Sequence, residues 1–126
     1  MLNLSTVMIG TEDPEGLSAF YTKVLGEPAW HGSGYVGWSA GKGLLMIGPH
    51  SEVKGRNESP GRIIVNYETP DVPAEFERIK GLGANVHAEP YHPGEPPEEM
   101  WLATFEDPDG NLFQLASPMP EETASS

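Results

Sequence analysis

At 126 residues with no cysteine, the chain has the length of one domain and lacks the means for a disulfide framework, a thiolate metal site or a cysteine nucleophile. Nineteen acidic against seven basic side chains give a formal charge of −12, which repels nucleic acid and anionic lipid surfaces. The N-terminal MLNLSTVMIG has neither a basic leader nor a long apolar run, and no stretch approaches the ~20 apolar residues of a membrane span, so a cytoplasmic protein with no membrane or nucleic-acid partner is the expectation.

Residues 3–10, NLSTVMIG, alternate as a strand, with Val7 and Ile9 on one face and Thr6 and Met8 on the other. Asp13 then caps a helix with Pro14 at its first position. Leu17, Phe20, Tyr21, Val24 and Leu25 make its apolar stripe, and Gly26 ends it. GYVGWSA and GLLMIG read as further strands, followed by the polar connection PHSEVKGRNESPG. In RIIVNYET, residues 62–69, alternation puts Ile63, Val65 and Tyr67 towards a helix and Ile64, Asn66 and Glu68 away from it. A second helix starts at Asp71 with Pro73 early, carries Val72, Phe76 and Ile79, and stops at Leu82-Gly83. NVHAEP, MWLATFE and NLFQLAS complete the chain as strands. Between the last two, Asp107-Pro108-Asp109-Gly110-Asn111 has the residues of a tight turn. Phe113 and Leu115 then share one face and Leu112, Gln114 and Ala116 the other, which leaves the Gln114 amide in need of a partner, water or a ligand.

Strand, capped helix and short strands occur twice, which predicts an α+β fold of two βαβββ modules, about 1–56 and 60–118, within a single domain 1–118 and ahead of a disordered tail, 119–126. The faces turned away from the helices are mixed apolar and polar. They suit either a cavity lining or a partly solvated sheet.

The pattern D…FYTKVLG after the first strand, FEDPDGNLFQL at the end, and the duplication between them resemble the vicinal oxygen chelate superfamily of glyoxalases, extradiol dioxygenases and bleomycin-resistance proteins. The resemblance covers about Leu4 to Pro118. In metal-using members it implies a cation held by His or carboxylate side chains at four strand positions. By spacing from the capping aspartates these fall on Thr6 and Ile64, and by spacing from Gly110 on Gln114. The fourth falls on Met46 or Ile47. A hydroxyl, two apolar groups and an amide do not suit Zn²⁺, Ni²⁺ or Fe²⁺, which want imidazole and carboxylate, so no metal and no cofactor is expected. His31, His50, His87 and His92 are placed in loops or at strand ends and share no ligand spacing. Asp107 and Asp109 lack the register of an EF-hand, and GSGYVG lacks the lysine and helix of a phosphate loop.

Without a metal the superfamily's electrophilic chemistry has no source, and no catalytic residue is assigned. Binding is left. Trp30, Trp38 and Trp101, with Tyr35, Tyr91 and Phe105 nearby in sequence, are enough to stack a flat ligand, although Trp38 is equally read as core. The ligand-binding candidates are Thr6, Met8, Trp38, Met46, Asn66, Glu68, Trp101 and Gln114, with the proline-rich 89–99 as a rim or lid. Resemblance to the metal-free, antibiotic-binding members implies a homodimer that sequesters a bulky, aromatic natural product of bleomycin, anthraquinone or enediyne type in a crevice at the dimer interface. The role implied is resistance without modification of the drug. The alternatives are a metal-independent lyase or isomerase with Glu68 or a histidine as base, and an accessory module with no small ligand.

Overall fold

The computed structural model describes residues 1–94 and 99–118. The expected tail, 119–126, and the centre of the 89–99 rim lie outside the described residues. The chain forms two compact units: Met1–Pro60 with Asp107–Asn111, and Gly61–Glu106 with Leu112–Ser126.

In the first unit, β1 (Thr6–Thr11), α1 (Pro14–Leu25), β2 (Trp30–Gly32), β3 (Tyr35–Ala40) and β4 (Gly43–Pro49) follow in order. The sheet runs β1-β4-β3-β2, with β1 parallel to β4 and the other pairs antiparallel. The Asp13 side chain accepts from the Gly16 N–H at 3.1 Å, and Gly26 ends the helix at φ 95°. Leu17, Tyr21 and Val24 are buried from the helix side, Leu45, Ile47 and Trp38 from the sheet side. The short strand β2 is not visible in the sequence. It exists because Ser33 (φ 54°) and Gly34 (φ 84°) fold back in the left-handed region, which a two-residue hairpin turn requires.

In the second unit, β5 (Val65–Glu68), α2 (Val72–Gly81), β6 (Asn85–Tyr91), β7 (Leu102–Glu106) and β8 (Leu112–Ala116) repeat the order. The sheet is β5-β8-β7-β6, with β5 parallel to β8. Asp71 caps α2 through the Ala74 N–H at 3.1 Å. Phe105 stacks between Phe76 and Phe113, with ring centroids 5.2 and 5.5 Å away. The fold is thus α+β with two βαβββ modules, as the sequence indicates. Two details differ. Ile63, expected against the helix, is 77% exposed, because a single 3-10 turn at Pro60–Arg62 delays the strand until Val65. Glu89, Pro90 and Tyr91, expected in the rim, belong to β6 at the border of its sheet, where an irregular pairing with β7 between Ala88 and Tyr91 accommodates the proline.

The turn 107–111 is held inside the first unit. Asp107 accepts from the Tyr21 hydroxyl at 2.7 Å, from the Asp109 N–H at 2.9 Å, and from the Asn111 N–H and Nδ2 at 3.0 Å each. The Thr11 hydroxyl donates to Asp109 at 2.5 Å, the Asn57 N–H to the Asp109 carbonyl at 2.8 Å, and Arg56 Nη1 to the Pro108 carbonyl at 3.0 Å. Gly110 takes φ 85°, a conformation that favours glycine, with the Arg56 guanidinium Nη2 3.0 Å from where a Cβ would stand.

Candidate functional site

Each sheet has a face turned away from its helix, and the register fixes what stands on it. In the first unit, Met8 is opposite Met46, Met46 opposite Gly37, and Gly37 opposite Trp30, so these four form one row across all four strands. Thr6, Leu44 and Ser39 make the next row. Met8 is 54% exposed and Trp30 45%, whereas Ile47 is buried on the other face. Of the two residues left open in LLMIG, Met46 stands on this face and Ile47 on the helix side.

Glycines shape this surface. A Cβ at Gly32 would lie 2.7 Å from Trp30 Cζ2, and one at Gly37 would lie 3.5 Å from Cε3, so the indole rests on backbone left bare by both. A Cβ at Gly48 would fall 2.0 Å from Tyr35 Cδ1, so the Tyr35 ring covers Gly48. Trp30, counted in the sequence among the aromatics able to stack a flat ligand but not among the ligand-binding candidates, stands on this face. Its signal is faint: a tryptophan two residues before a glycine, in a strand too short to recognise.

In the second unit the corresponding row carries three polar side chains, Asn66, Gln114 and Thr104, and ends at Ala88, with Glu68, Ala116 and Leu102 alongside. The Gln114 Nε2 donates to the Thr104 hydroxyl at 3.1 Å, which answers what partner the amide finds. Thr104 is buried, so the bond satisfies a hydroxyl that the strand interior would otherwise leave wanting.

Two candidates do not belong to these faces. Trp38 pairs with Leu45 on the helix side, is 1% exposed, donates its indole N–H to the Gly26 carbonyl at 3.0 Å and packs on Tyr21. It is a core residue. Trp101 precedes β7 on the same alternation as Ala103 and Phe105, and its ring lies against His92 with centroids 3.9 Å apart and planes tilted by 40°. Nor are all the histidines in loops or at strand ends: His31 lies within β2 and His87 within β6, both exposed.

The four positions that the resemblance implies hold Thr6, Ile64, Gln114 and, taking the residue on the open face, Met46. A thioether and an alkyl group do not serve a hard or borderline cation, and a neutral amide and hydroxyl lack the charge of the imidazole and carboxylate set such a cation wants. Among the described residues no three His, Asp or Glu side chains gather where a metal ion would be held. These positions do not fit the metal of the superfamily. Two concavities of the first unit, about 490 Å³ beneath residues 52–59 and about 830 Å³ between α1 and the tip of the β2–β3 hairpin, include none of Met8, Met46 and Trp30.

A family model described as a glyoxalase-like domain matches residues 6–116. No curated protein matches. Among solved structures, a glyoxalase/bleomycin resistance protein/dioxygenase family enzyme from Burkholderia phytofirmans PsJN is 23% identical, with a TM-score of 0.71 over 94% of this chain and 100% of that one. A structure described only as a conserved domain protein gives 20% identity and a TM-score of 0.75 over 94% of this chain and 100% of that one. TioX from Micromonospora sp. ML1 gives 18% and 0.68 over 93% of this chain and 99% of that one. At such identities these likenesses show the fold.

Proposed function

The chain belongs to the glyoxalase-like family, and from that premise we propose that it binds and sequesters a bulky aromatic natural product without modifying it, as a cytoplasmic homodimer with a role in antibiotic resistance. The observation that carries this reading is the donor set on the two open faces. Thr6, Met8, Met46, Asn66 and Gln114 supply hydroxyl, thioether and amide groups. These orient a ligand but transfer protons poorly near neutral pH, and the Gln114 amide is already bonded to Thr104. Glu68, the remaining candidate, is an exposed carboxylate at the end of β5, a weak setting for a base. The likeness to a glyoxalase/bleomycin resistance protein from Albidiferax ferrireducens T118 supports a binding role, and among the described residues no helix is long and apolar enough to cross a membrane.

Protection by sequestration needs affinity rather than turnover: a sub-micromolar Kd, ~8 kcal/mol or more, withholds a drug from its target. A drug incubated with substoichiometric protein and released by denaturation is expected to be recovered chemically intact, with one molecule neutralised per site. Multiple-turnover conversion detected by mass spectrometry would overturn the proposal and make Glu68→Gln the next variant to assay.

The donor set leads to a second expectation. Added Ni²⁺, Zn²⁺ or Mn²⁺ should leave the melting temperature unchanged, whereas a true ligand at a hundredfold excess over its Kd stabilises by ~2.7 kcal/mol. A thermal shift with one equivalent of metal, lost in Gln114→Ala, would contradict the chemistry assigned to these positions.

A further inference from the structure

We propose that Trp30 is the stacking residue of the open face and that its seat on Gly32 and Gly37 selects a planar aromatic cation. This inference rests on the sequestration reading above and names the ligand class that reading leaves open.

Side chains on a strand ordinarily stand away from the sheet. The Trp30 indole instead spans two bare stretches of backbone: Cζ2, Cη2 and Cε2 lie over Gly32, and Cε3 over Gly37. With these ring atoms close to the backbone of Gly32 and Gly37, Trp30 still keeps 45% of its surface exposed and open to a ligand. Met46 is two strands away in the same row, ~10 Å by ordinary strand spacing, and the residue between them, Gly37, is buried beneath Trp30 Cε3 and Leu44 Cδ1, both apolar. Beyond Met46 stands Met8, on the last strand of the row. The result is an apolar strip, aromatic at one end and thioether at the other with Leu44 beside it, and both end groups make favourable contacts with a flat π system.

Charge decides between ligands of equal shape. The rows of this face, Met8-Met46-Gly37-Trp30 and Thr6-Leu44-Ser39, contain no lysine or arginine to pair an anion. The indole face attracts cations, and the formal charge of −12 draws them from a distance.

The test uses three flat probes of different charge: 9-aminoacridine as the cation, lumichrome as the neutral molecule and anthraquinone-2-sulfonate as the anion. Binding is read by tryptophan quenching and calorimetry. The cation is expected to bind at least tenfold more tightly than the anion. Trp30→Ala should weaken it tenfold or more, and Trp30→Phe about threefold. Gly32→Ala keeps the tryptophan but lifts it from its seat, and should weaken binding nearly as much as Trp30→Ala with the thermal transition preserved. Equal affinity for all three probes would overturn the charge selection. Parent-like binding by both Trp30→Ala and Gly32→Ala would overturn the stacking role, and a loss in Trp30→Ala alone would overturn the seat. The two proposals fail separately. Trp30-dependent binding followed by conversion of the drug refutes sequestration only, whereas intact sequestration that survives Trp30→Ala refutes this inference only.

Discussion

The Asp107→Ala variant is expected to lose about 3 kcal/mol or more of stability, a large share of the ~5–15 kcal/mol typical of a folded domain. The carboxylate is 0% exposed and accepts from the Tyr21 hydroxyl, from the backbone N–H groups of Asp109 and Asn111, and from Asn111 Nδ2. Alanine leaves those donors facing an apolar gap, and a buried unsatisfied donor costs ~1–3 kcal/mol. The loss is smaller than the sum of the bonds, because desolvation by burial holds the Asp107 pKa above the ordinary 3.8 even though Tyr21, Asn111 and Asp109 pull it down. The raised value sets the sign of the pH dependence. The folded state holds this proton more tightly than the unfolded chain does. Its stabilising contribution is therefore complete below 3.8 and is lost as pH rises through the folded-state pKa. Urea midpoints of parent and variant should accordingly draw further apart as pH falls through that range. A gap that narrows on acidification would show that the ionised carboxylate is the favoured form in the fold.

Phe105→Ala should cost about 3–5 kcal/mol, the range for removing a large aromatic side chain from a packed interior. Phe105 is 0% exposed and stacks on Phe76 of α2 on one side and Phe113 of β8 on the other, so its removal separates helix from sheet in the second unit. Hydrogen exchange should report the effect first in β7 and β8. Phe105→Leu, which keeps most of the volume, should lose far less. A variant within 1 kcal/mol of the parent would mean that the Phe76 and Phe113 rings close the gap.

Local chemistry made the helices legible. Asp13 and Asp71 with prolines just behind them specify where the backbone turns, and the structure caps both helices there. Alternation likewise put Thr6, Met8, Asn66 and Gln114 on the open faces, because a period of two needs no knowledge of the partner strand. What depends on pairing was hidden. Trp38 is a core residue because β3 meets β4 with Trp38 opposite Leu45, and nothing within YVGWSA fixes that register. The partner of Gln114 is a threonine ten residues earlier, identifiable only once the β7–β8 hairpin is closed. The turn 107–111 reads as a self-contained reversal, yet it is bound by Tyr21, Thr11, Arg56 and Asn57, residues far away along the chain.

The proline in β6 has a consequence for how the molecule behaves at high concentration. An outer strand with an unbroken set of amides is a template on which strands of other molecules can add, the first step towards fibrils. Here Pro90 contributes no amide hydrogen, and the pairing with β7 slips between Val86 and Ala88 and again between Ala88 and Tyr91. An incoming strand would meet an interrupted and locally twisted border rather than a straight one, with the charged Glu89 beside the gap. At that border the second sheet resists growth into an aggregate through its own backbone geometry, while its inner side stays fastened to β7 through Asn85, Val86, Ala88 and Tyr91.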